Sequence, residues 1–196
     1  MITCRTLVER LADARIAQLA PAVEATLKPL FPDVSVVTLA GKIDVSDVIE
    51  GSIFQPPVIA VTLTRWHGPV DVGGGFAVPV ELAAYVVTEE MAIGDLAVRR
   101  EVVAHALSMG LLEILADLDV PRWGLDRIGS PEDAEARPIF TAHAYAQGIA
   151  YYAVTWRQNL LALGTDPLAR VPYTIVESLD EGVTTVWPPD LSGEPV

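Results

Sequence analysis

The chain carries a single cysteine, Cys4, only two lysines, Lys28 and Lys42, and no long uninterrupted apolar run. Each shortage closes off a class of protein. One cysteine excludes an internal disulfide and any cysteine-rich metal site, which makes a reducing compartment the default. A membrane span needs roughly 20 consecutive apolar residues, and none is present, so a soluble protein is expected. Arg5, Glu9, Arg10, Asp13 and Arg15 interrupt every apolar stretch near the start, so no secretion signal is expected there. Basic residues number 13 against 26 acidic ones, the net charge is −13, and no basic run occurs. Gripping nucleic acid through its phosphates is thereby excluded.

What remains is enough for an ordinary folded core. A chain of 196 residues buries roughly 70% of its unfolded surface and needs no staples. The stretch Asp95 to Leu118, DLAVRREVVAHALSMGLLEILADL, reads as its longest helix, with charge at the ends and only His105 and Ser108 as polar interruptions in the middle. Leu96, Val103, Leu107, Ile114 and Leu118 form one apolar stripe at the helical period, and Val98, Val102, Met109, Leu112 and Ala116 line the opposite side. Such a helix is expected to be covered on two sides, by its own sheet and by something else, which in a short chain means another subunit.

In chain order, Thr3 to Lys28 reads as helix with Val8, Ala12, Ile16, Leu19, Val23 and Leu27 on one face, broken or restarted at Pro21 and ended by Pro29 and Pro32. Val34 to Leu39 is a short strand, and Asp44 to Glu50 one or two helical turns. Val58 to Trp66 and Phe76 to Thr88 form a hairpin whose link, His67 to Gly75, is Gly-rich and too long for a tight turn, so an exposed, mobile loop is expected. Pro79 removes a ladder donor, which points to an edge or bulged strand. Arg122 to Gln147 reads as irregular, with Ser130, Pro131 and Asp133 resembling a capped turn. Gly148 then opens a final core strand, Ile149 to Leu160, covered on both faces. From Gly164 six acids face one base, and Tyr173 to Val176 and Val183 to Trp187 are strand-like within a Pro-containing arm. The expected architecture is α+β: a mostly antiparallel sheet packed against a long central helix and an N-terminal helix, core 1–163, followed by a C-terminal arm, 164–196.

Chemistry is thinly represented. Gly73-Gly74-Gly75 precedes Phe76 rather than lysine, so it is no phosphate-binding loop. His67, His105 and His143 have no second ligand at close spacing, and no metal site or cofactor is expected. His105 is expected to be satisfied by a neighbour. A His105–Ser108 dyad would lack an oxyanion hole, and the pairs Asp117/Asp119 and Asp180/Glu181 read as solvated turns. No catalytic residues emerge.

Order and spacing resemble the tail terminator, or tail completion, proteins of long-tailed phages, notably the Mu-like type. The resemblance runs over roughly Thr3 to Leu163. It rests on the N-terminal helix, strand and small helix, on Pro57-Val58-Ile59-Ala60-Val61 opening a long hairpin, on the helix from Asp95, on the segment through Arg127 and Ser130, and on Gly148 to Trp156 as last core strand. It implies a non-enzymatic virion subunit, assembled in the host cytoplasm, forming a six-membered ring. That ring would seat on the last tail-tube ring, halt polymerisation and meet the head connector protein, with DNA passing through its bore unbound. The loop and its flanks, Trp66, His67, Gly73, Gly74, Gly75 and Pro79, are the expected contacts. On the arm they are Tyr173 and Trp187. Another neck protein, a head–tail connector or minor tail protein, fits the same pattern. A small cytoplasmic enzyme or ligand-binding domain is the more distant alternative, with a pocket near His67, Trp66 and Tyr85.

Overall fold

The computed structural model describes residues 6–12, 14–39, 56–72, 75–139, 146, 148–161, 175–177 and 184–186. Two helices open the chain, α1 (Leu7–Ala12) and α2 (Arg15–Leu27). β1 (Ser35–Leu39), β2 (Val58–Trp66), β3 (Val70–Asp71) and β4 (Phe76–Thr88) follow. A small hairpin, β5 (Met91–Ile93) and β6 (Leu96–Val98), leads into α3 (Arg100–Ala116), then β7 (Glu132–Pro138) and β8 (Ala150–Leu161). β9 (Ile175–Glu177) pairs antiparallel with β10 (Thr184–Val186). The fold is α+β, with the main sheet in the order β1-β2-β4-β8-β7 and β3 alongside β4. Only β1 and β2 run parallel among its pairs.

Strand alternation sends one set of side chains to each face of this sheet. Ile59, Val61, Val80, Leu82, Val86, Val154 and Leu160 face the helices, where Leu19, Val23 and Leu27 of α2 and Ala104, Leu111 and Leu115 of α3 close the main core. Val58, Ala60, Ala83, Tyr85, Val87, Tyr151 and Ala153 form a second buried cluster on the far face. Both faces of β8 are therefore filled from Ala150 to Val154, while Thr155, Arg157 and Asn159 leave the far side of its second half polar and partly open, contrary to the expected cover. Thr88 Oγ1 donates to the Arg100 carbonyl at 2.8 Å and fixes where α3 leaves β4. Arg15 donates to the Leu161 and Arg127 carbonyls at 2.7 and 3.1 Å, and also to that of Asp126, which ties the start of α2 to the end of β8.

Five features differ from expectation. The helical break falls before Arg15, and Pro21 sits inside α2 on its exposed side, where the carbonyl it leaves unbonded can meet water. Val8 is exposed, not part of the buried stripe. α3 begins at Arg100, because Gly94, at φ +61°, and Asp95 make the two-residue turn of β5–β6. Residues 132–138 are an edge strand rather than a capped turn, with Asp133 at φ +53° in a bulge that breaks its register with β8. Pro79 lies in β4, an interior strand, opposite Asn159 of β8. Its carbonyl accepts from His67 N at 2.9 Å, and the N and C=O of one strand residue point the same way. The missing donor thus faces the side where β2 has run out. The expected turns at Asp44 to Glu50 lie outside the described residues.

Candidate functional site

α3 buries Val103, Ala104, Ser108, Leu111 and Leu115 against the sheet. Its opposite side is open in the single chain, with Val102 53% and Met109 55% exposed and Ala106 exposed between them. One of the two expected covers is therefore present and the other is not supplied by the described chain. The hairpin just before α3 adds Ile93 and Leu96, at 54% and 71% exposure, and Leu118 just after it is equally open. An amphipathic surface helix would place charge along such a side; α3 places valine, alanine and methionine over its first turns, with His105 beside them and Glu113 one turn further on.

The expected contact residues separate. Trp66 is 61% exposed and pairs with Val80, which places it on the helix side of the sheet. His67 turns the other way, its Nε2 2.7 Å from Glu81 Oε1. The link is less of a loop than expected, since Val70 and Asp71 pair with Ala77 and Phe76 and Val72 N donates to Gly75 O at 2.9 Å. Gly75 is buried and Pro79 half-buried within the sheet, so neither is an exposed contact. Gly73, Gly74, Tyr173 and Trp187 lie outside the described residues.

The pocket that the more distant alternative places near His67, Trp66 and Tyr85 is met in part. A groove of about 420 Å³ on the far face includes Tyr85 and Glu81 of β4, the latter bonded to His67, but not Trp66. Its other lining, Thr64 of β2, Asp133 and Arg137 of β7, and Ala153 and Arg157 of β8 among others, was not read from the sequence. Glu81 is its charge centre. Besides His67 it faces Arg65 at 4.0 Å and Arg157 at 3.9 Å, and Arg157 also reaches Asp133 at 3.5 Å. Antiparallel register sets this up, since Glu81 lies opposite both Arg65 and Arg157. No local motif announces it.

The hydrogen bond from His67, helped by the nearby guanidiniums, holds the Glu81 carboxyl below its usual range. Because the folded value lies under the unfolded value of about 4.3, the contact adds stability above that pH and loses it as pH falls through the folded value. Glu81→Gln is therefore expected to flatten the acid-side decline in Tm between about pH 5 and 3. Thermal melts across that range measure it, and parallel curves for the two proteins would count against the assignment.

His105 and Asp117 are both engaged within the fold, and the Asp180/Glu181 pair lies outside the described residues. His105 Nε2 meets the Tyr152 hydroxyl at 2.9 Å, with the rings edge to face, while Ser108 is buried, so the two do not form a dyad. Asp117 Oδ1 accepts from the backbone of Asp119 and Val120 at 2.8 and 2.9 Å, which lowers its carboxyl pKa and closes the turn after α3. Among the described residues no group of His, Cys, Asp and Glu could hold a metal ion, and no helix is long and apolar enough to cross a membrane. The chain matches no protein-family model, and no curated protein is significantly similar to it in sequence.

Proposed function

We propose that the chain is a structural protein of a phage virion, a tail terminator that closes into a six-membered ring on the end of the tail tube, stops tube growth and joins the tail to the head connector. The observation that carries this reading is the apolar outer side of α3. Fully burying a valine or methionine side chain is worth about 1.5–3 kcal/mol, so a subunit that holds Val102 and Met109 in water gains by seating them on a neighbour. Closed rings arise when such contacts repeat around a rotation axis. A net charge of −13 suits a bore through which DNA moves without sticking.

Light scattering on the purified protein, combined with negative-stain images of tail tubes incubated with it, tests the proposal. Expected are capped tubes of arrested length bearing a ring of subunits. Tubes that keep growing with bare ends would overturn it. The groove around Glu81 favours a second reading, a small ligand-binding domain, because polar groups converge there over an apolar floor. That reading expects a monomer or dimer that leaves tubes untouched.

A further inference from the structure

The far-face groove contains two donors that the fold does not use. Tyr85 is only 7% exposed, yet its hydroxyl, in the groove lining, makes no hydrogen bond among the described residues. Arg137, on the adjoining edge strand, has no ion pair among the described residues, and its charge reaches Tyr85. Tyr85 and Arg137 flank Ala153 across β8, so a molecule that enters the groove meets both donors at once.

We propose that Arg137 and Tyr85 bind a carboxylate, whose apolar body lies on Ala83, Ala153 and Ile139. Burial raises the Tyr85 pKa, so its phenol stays a neutral donor at neutral pH. The planar guanidinium fork matches the two oxygens of a carboxylate. Charge decides against a phosphate dianion. Arg65, Arg137 and Arg157 stand against Glu81, Asp133 and Glu135, the last facing Thr155 at 3.4 Å, so the local balance accommodates one added negative charge better than two. The carboxylate comes either from a free small molecule or from the acidic segment that follows Gly164, which carries six acids. The site does not depend on the ring reading.

A chemical-shift titration of the full-length protein with hexanoate, following the Tyr85 ring and Arg137 Nε–H signals, tests this. Saturable shifts of both are expected, at least tenfold weaker binding in Arg137→Gln and in Tyr85→Phe, and no shift with hexanol. A full-length Asp180→Asn, Glu181→Gln chain separates the sources: tighter hexanoate binding means that the chain's own acids compete for the site, and unchanged binding means an external carboxylate. Absence of saturable shifts in both the parent and this neutralised chain overturns the proposal. So does hexanoate affinity that neither Arg137→Gln nor Tyr85→Phe alters. Tube capping is read separately, so failure here leaves the ring proposal standing.

Discussion

Gln158→Leu is expected to lower the unfolding free energy by about 4 kcal/mol, with a fall in Tm of about 10 °C or more. Gln158 is fully buried in β8, and all four of its hydrogen bonds are made. Its Oε1 accepts from the indoles of Trp123 and Trp156 at 2.8 and 3.0 Å, and its Nε2 donates to the Pro121 and Gly129 carbonyls at 2.8 and 2.9 Å. Indoles only donate and carbonyls only accept, so the amide has one orientation. Leucine fills similar space but strands two N–H groups and two carbonyls, each costing about 1–3 kcal/mol when buried. Native stability is about 5–15 kcal/mol in total, so the loss is a large fraction. Trp156→Phe removes a single donor and should cost less. Urea denaturation of the three proteins gives the comparison; a leucine variant within about 1 kcal/mol of the parent would show that this network does not hold the segment.

The second large effect concerns assembly rather than folding. Val102→Asp combined with Met109→Asp changes two positions that already face water, so the single subunit should keep its Tm within a few degrees. In a ring contact the same carboxylates would be desolvated without partners, at several kcal/mol each, and once per repeated interface. Tube capping and ring formation should therefore be lost while the subunit stays folded. Capping that survives the double substitution would sink the assignment of this surface.

Much of the fold was readable in the chain, and the physical reason is periodicity. Val58 to Trp66 and Phe76 to Thr88 are strands at the expected bounds, and β8 differs by one residue at each end, because β-branched and aromatic residues alternate around clear Gly and Pro stops. Leu19, Val23 and Leu27 announced the core face of α2 by the same logic. The start of α3 was misplaced although Ile93-Gly94-Asp95-Leu96 holds a hairpin signal, since the apolar residues of β6 continue in helical phase into α3. β7 was unreadable because EDAEARP has little strand propensity; it is a strand only because β8 offers it a partner.

The groove and the glutamine network were hidden for a related reason. Glu81, Arg65 and Arg157 are cross-strand neighbours from three separate stretches, and no spacing rule links them. Gln158 falls in a strand read as covered on both faces, but coverage alone does not say what its amide will bond to. Nothing near it in the chain announces that Trp123, in a left-handed turn, will be brought over it.

Pro79 divides the long hairpin into two lengths of ladder. Below it β2 and β4 pair continuously apart from one bulge, and beyond it that side of β4 carries only Val70 and Asp71 of β3. The other side of β4 stays paired through Ala77 and Val78 with Leu161 and Leu160 of β8. A pull on this end of the hairpin would therefore peel β3 away before it disturbed β4.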